Sequence, residues 1–156
     1  VSETPPGRIL GIDAGERRIG VAISDPGRSF ALPLETVIAD GKEFDRLAAI
    51  IAAEEVSDIV IGLPLSLSGE ASAQTERARS FAKRAEERLG RPVHLWDERL
   101  TSREAERLTT HGREPPGRRR SHRQRGSRAP SAPERDAVAA SIILQAYLDS
   151  LRFEPT

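Results

Sequence analysis

Four carboxylates stand at the edges of apolar segments. Asp13 closes Ile9-Leu10-Gly11-Ile12 and is followed at once by a turn carrying Gly15. Asp97 and Glu98 come directly after Leu95-Trp96, and Asp136 opens an apolar helical pattern near the end of the sequence. Acids delivered to the ends of buried segments can grip a divalent cation, since Mg²⁺ and Mn²⁺ take hard oxygen ligands. Two such ions about 3.5–4 Å apart clamp the attacking and leaving oxygens of an in-line phosphoryl displacement. Without a cation, clustered carboxylates repel, and at least one is driven to keep its proton.

The elements that must position these acids can be read from periodicity. Residues 8–13 and 18–24 are apolar, strand-length and separated by a glycine turn, so they pair as a hairpin. Residues 30–38 form a third strand, with Pro33 at an edge or a bulge. Phe44, Leu47, Ala48, Ile51 and Ala52 recur at helical spacing and predict a helix over 42–55. Residues 58–62 are continuously apolar after Asp58, the pattern of a strand buried on both faces. A loop over 63–69 leads to a long helix over 72–89, ended by Gly90. Residues 92–96 are another strand, and 102–110 a helix capped by Thr101 or Ser102. A closing helix begins at Pro133, a good first helical residue. Asp136, Ala140, Ile143 and Tyr147 fall on one face of it, so Asp136 points toward the sheet. The order describes an α/β fold with a mixed sheet flanked by helices.

Bulk composition narrows the chemistry. The 156 residues suit one domain, 1–156, able to bury roughly 68–70% of its unfolded surface. With no cysteine and three histidines, thiolate metal sites and cysteine nucleophiles are excluded, and a His-rich zinc centre is disfavoured. Apolar runs are strand-length, which gives no membrane span, and the polar start of the chain lacks a secretory pattern; the expected place is the cytoplasm. Net charge is zero, yet residues 112–133 are rich in Gly, Pro, Ser and Arg with almost no apolar side chain. That segment reads as a flexible loop whose arginines contact a polyanion.

As a set, these residues resemble the YqgF family. The resemblance rests on Gly11-Ile12-Asp13-Ala14-Gly15, Arg18-Ile19-Gly20-Val21-Ala22 with Ser24-Asp25, and Ile61-Gly62-Leu63-Pro64-Leu65 with Gly69. It continues through Asp97-Glu98-Arg99-Leu100-Thr101 and Asp136 with Ala139-Ala140 and Ile143-Leu144-Gln145. This is the RuvX or pre-16S rRNA nuclease group, also described as Holliday junction resolvases. The resemblance implies an RNase H-like five-stranded sheet and a divalent-metal nuclease of the bacterial cytoplasm, linked to maturation of the 5′ end of 16S rRNA. It carries the acidic site onto Asp13, Glu98 and Asp136 as catalytic residues and ligands of Mg²⁺ or Mn²⁺, with Asp97 ranked below Glu98. The family's compact Lys/Arg-rich segment before the last acid is replaced here by a lysine-free run of Arg and Pro over 113–133.

Arg18, Ser66, Arg118, Arg119, Arg120, Arg123 and Arg125 are the expected nucleic-acid contacts. The arginines would neutralise phosphates without reading sequence, while Ser66 lies in a loop at a strand end, where open sheets bind ligands. Each also has a plainer reading: Arg18 as a brace for the first turn, Ser66 as a turn residue, the arginine run as a solvated tail. Asp25, before Pro26-Gly27, is read as a turn residue and Trp96 as core. The expected partner is pre-rRNA, within ribosomal precursor particles or free, handled by a monomer or homodimer. The alternatives are a junction resolvase acting on DNA and a non-catalytic RNA-binding assembly factor. A kinase or actin-like ATPase is disfavoured, because that superfamily needs two such halves.

Overall fold

The structure is a computed structural model that describes residues 6–101, 129 and 131–152. Five strands form one sheet in the order β3-β2-β1-β4-β5. They are β1 (Arg8–Ala14), β2 (Arg18–Ser24), β3 (Ala31–Ile38), β4 (Val56–Leu63) and β5 (Val93–Asp97). The meander β1–β2–β3 is antiparallel, while β1, β4 and β5 run parallel, so the sheet is mixed as expected. Helices α1 (Glu43–Ala53) and α2 (Ala73–Leu89) supply the crossovers, and α3 (Ala132–Arg152) closes the fold.

Alternation along the strands sorts side chains to two faces. Leu10, Ile12, Ile19, Val21, Ile59 and Ile61 face α1 and α2, where they pack with Phe44, Leu47 and Phe81. Ile9, Ala22 and Val60 face α3 and meet Ala140, Ile143, Leu144 and Leu148. Asp13 has the parity of Ile9 and Gly11, so it belongs to the α3 face. Among the described residues no helix is long and apolar enough to cross a membrane.

Local chemistry explains where boundaries differ from the sequence expectation. Phe30 stays outside β3 because the Asp25 carboxylate accepts hydrogen bonds from the backbone N–H groups of Ser29 (2.7 Å) and Phe30 (2.8 Å). Those bonds hold Asp25 below the ordinary carboxylate range and make it a turn residue. Pro33 does sit on an edge strand, beside a register irregularity opposite Ala22. Helix α1 ends at Ala53 because Glu55 turns back with φ +55°, and β4 starts early since Val56 is buried and pairs with Arg8. Strand β5 runs one residue further than expected, to Asp97, and helical backbone begins at once over 98–101. Asp97 causes this: its Oδ1 accepts from Arg99 N at 3.0 Å, an N-cap bond. The rest of the helix expected over 102–110, and most of the loop expected over 112–133, lie outside the described residues.

Two capping boxes fix the helices that matter for the site. Ser72 and Thr75 exchange bonds at the start of α2, and Gly90 ends that helix with φ +62°. Ser131 and Glu134 do the same for α3: Ser131 Oγ accepts from Glu134 N, and Glu134 Oε2 accepts from Ser131 N. Helix α3 thus begins one residue before Pro133. Thr36 Oγ1 on β3 donates to the Pro133 carbonyl and pins this end of α3 to the sheet.

Candidate active site

Strands β1, β4 and β5 are parallel, so their C-terminal ends lie together. Asp13 is next to last in β1; Glu98 follows the last residue of β5; Gly62 lies on β4 between them. Asp13 and Glu98 line one cleft of about 270 Å³ with Gly62 at its floor. Gly62 is required by close approach: a Cβ there would lie 2.6 Å from Glu98 Oε1 and 2.7 Å from Ile143 Cδ1. Strand β4 thus leaves the space that the Glu98 carboxyl fills.

The electrostatics of this pair are unfavourable. The Glu98 carboxyl is pushed up to about 7, first by burial and then by the charges of Asp13 and Asp97. The Asp13 carboxyl is also raised, by burial and by the charge of Asp136. Asp97 meanwhile caps the helical segment and binds its own neighbour, with Arg99 Nη2 donating to Oδ2 at 2.6 Å. Of this adjacent pair, Glu98 is the one that lines the cleft.

Asp136 reaches the site from α3, the helix packed on the face of the sheet to which Asp13 belongs. Gly20 pairs with Asp13 across the hairpin, and a Cβ on Gly20 would sit 1.9 Å from the Asp136 carbonyl oxygen. The bare glycine lets α3 rest directly on β2 and puts Asp136 beside Asp13. The Asp136 carboxylate is turned to Arg18, whose Nε donates to Oδ2 at 2.7 Å. Among the described residues no three acidic or histidine side chains close on a common point. The protein alone therefore has Asp13 and Glu98 in one cleft and Asp136 alongside, charge-matched by Arg18. The donor set suits a hard dication, because carboxylate oxygens supply it and their mutual repulsion is what such an ion relieves.

The other sequence candidates are placed as follows. Arg18 contacts Asp136. Ser66 is exposed in the loop after β4, where its hydroxyl accepts from Glu70 N at 3.0 Å and its carbonyl accepts from Gly69 N at 2.8 Å. Arg118, Arg119, Arg120, Arg123 and Arg125 lie outside the described residues. Trp96 packs among the residues under α3, edge-on to Tyr147 at 5.9 Å. Sequence reasoning missed Gln74 and Arg77 of α2, which line the cleft with the acids. Their i, i+3 spacing puts them on one side of the helix, but periodicity alone does not say that this side meets the acids.

A family model described as RuvX: Holliday junction resolvase matches residues 7–150. The chain belongs to the RuvX family. A relative from Koribacter versatilis, named "Putative pre-16S rRNA nuclease", is 42% identical over 145 residues, covering 92% of this chain and 87% of its own. One of the same name from Syntrophus aciditrophicus is 42% identical over 149 residues, covering 94% and 91%. Among solved structures, RuvC from T. thermophilus in complex with Holliday junction substrate matches with a TM-score of 0.55 at 14% identity. That match spans 94% of this chain and 96% of RuvC, so this RuvX chain shares RuvC's RNase H-like fold.

Proposed function

We propose that the protein is a divalent-metal-dependent nuclease that hydrolyses phosphodiester bonds in maturing the 5′ end of pre-16S rRNA, in the cytoplasm. Nuclease activity follows from the family. The observation that carries the metal-dependent mechanism is the meeting of Asp13 and Glu98 in one cleft, with Asp136 beside Asp13. The names of the relatives support the choice of substrate.

Asp13, Glu98 and Asp136 would hold Mg²⁺ or Mn²⁺. Bound there, such an ion supplies charge stabilisation to phosphoryl oxygens and lowers the pKa of water. The protein's own contribution is placement. Strand β1 fixes Asp13, the Asp97 cap fixes the backbone of Glu98, and the Ser131–Glu134 box fixes the start of the helix that carries Asp136. Arg18 holds Asp136 in place beside the cleft through their ion pair. Arg18, Ser66 and the arginines of 118–125 are assigned to the nucleic-acid strand, where the arginines would neutralise phosphates and the Ser66 hydroxyl would offer a hydrogen bond.

The test is incubation of the full chain with labelled pre-16S RNA, single-stranded DNA and a four-way DNA junction, each with Mn²⁺ and with EDTA. The reading expects cleavage of the RNA in Mn²⁺ and none in EDTA. A second reading comes from the family description: symmetrical cutting of the junction, with the RNA left intact, would make the protein a DNA resolvase. Salt-sensitive RNA binding with no cleavage in Mn²⁺ would make it an assembly factor.

A further inference from the structure

The cleft that holds Asp13 and Glu98 has a second wall, made by α2. Thr75 is fully buried and its hydroxyl donates to the Pro64 carbonyl, so the first turn of α2 is tied to the segment that leaves β4. Gln74 in that turn and Arg77 just after it line the cleft together with the acids. Arg77 is the one base among the described residues that line it; Asp13, Glu16 and Glu98 are the acids. Its partner is weakly held. Arg77 Nη2 lies 3.8 Å from Glu16 Oε2, beyond hydrogen-bond distance, and the Glu16 side chain is 75% exposed.

An acidic cleft that must accept a polyanion has an electrostatic problem. Its carboxylates bind dications but repel the phosphates of the strand to be cut. A guanidinium lining the same cleft answers this, because its fork of donors matches two phosphate oxygens. Glu16 keeps that fork near the cleft without occupying it.

Building on the nuclease reading above, we propose that Arg77, with the Gln74 amide beside it, is a substrate-binding residue that holds a backbone phosphate of the nucleic acid against the acidic cleft. A plain surface pair with Glu16 makes a different prediction. In that case Arg77→Gln and Glu16→Gln would behave alike; in the phosphate role they diverge, since losing Glu16 frees the guanidinium.

The experiment measures binding of a fluorescein-labelled single-stranded pre-16S RNA oligonucleotide by anisotropy in Ca²⁺ over a range of salt. Cleavage kinetics in Mn²⁺ and melting temperatures are recorded on the same samples. Arg77→Gln is expected to bind roughly tenfold more weakly, to flatten the slope of log affinity against log salt by about 0.7, and to raise KM. Arg77→Lys should keep the salt slope and recover part of the affinity. Glu16→Gln should bind as tightly as the wild type or tighter. An Arg77→Gln protein that melts normally and keeps wild-type slope and KM overturns the assignment while leaving the nuclease reading standing. A wild-type protein that neither binds nor cuts nucleic acid overturns both.

Discussion

Arg18 Nε donates to Asp136 Oδ2 at 2.7 Å, joining β2 to α3 between residues 118 positions apart in sequence. The pair is half-exposed, with side-chain exposures of 46% and 28%. It gives the third acid of the site a countercharge when no cation is present. On the proposed reading, the guanidinium and a dication would serve the same carboxylate in turn. Removal of Arg18 should matter most in the metal-free protein. Arg18→Gln is expected to lower stability by at most about 1 kcal/mol in EDTA. The loss should shrink in saturating Mg²⁺, as read by denaturant midpoints in the two conditions. An equal loss in both would mean that the cation does not reach Asp136.

Gly20 and Gly62 make opposite predictions although both lie at the site. A Cβ on Gly20 would meet backbone, the Asp136 carbonyl at 1.9 Å, so α3 must lift from β2. Gly20→Ala is expected to cost about 1–3 kcal/mol and to displace Asp136. A Cβ on Gly62 would meet the far ends of Glu98 and Ile143, which can swing away. Gly62→Ala should melt near the wild type yet lose cleavage, because Glu98 is pushed out of place. Thermal melts and Mn²⁺-dependent cleavage of both variants check this.

Much of the placement of these candidate residues was legible in the sequence, and the reasons are local. Asp13, Glu98 and Asp136 sit at the ends of strongly patterned segments, and pattern dictates which face of a strand or helix a residue takes. Pro33 at an edge and Gly90 at a helix end follow from the missing N–H and the left-handed backbone. What pattern could not give was partnership across layers. Nothing in the spacing of Arg18 and Asp136 says that they meet. The arrival of Gln74 and Arg77 in the cleft with the acids depends on how α2 is tied to the segment after β4, through Thr75 and Pro64. One signal was available and unused: Ser131-Ala132-Pro133-Glu134 has the form of a capping box and would have started the last helix one residue earlier.

That box also has a measurable role. Ser131→Ala removes the Ser131 Oγ bond to Glu134 N. It should cost about 0.5–2 kcal/mol and loosen the turn that carries Asp136. Hydrogen exchange of the first α3 amides should accelerate, while amides of β1 and β4 stay protected.

The raised Glu98 carboxyl links stability to pH. Its value moves from 4.5 to about 7 on folding, so the native protein binds more protons than the unfolded chain between those values. Stability of the metal-free protein should therefore fall as pH rises from about 4.5 through 7 and level off above. Asp13, also raised, adds in the same direction. Glu98→Gln should remove most of the slope. Saturating Mg²⁺ should flatten it too, since a bound cation favours the ionised form, and metal binding should release protons at neutral pH. Urea midpoints from pH 5 to 8, with Mg²⁺ and with EDTA, measure both effects.

The account turns on Asp13 of β1, Glu98 just after β5 and Asp136 of α3 acting together on a dication. The most direct measurement is Mn²⁺-dependent cleavage of labelled pre-16S RNA by Asp13→Asn against the wild type, with circular dichroism to confirm the fold. The account predicts a natively folded variant whose cleavage falls to the EDTA background. A folded Asp13→Asn protein that cuts at the wild-type rate would contradict it.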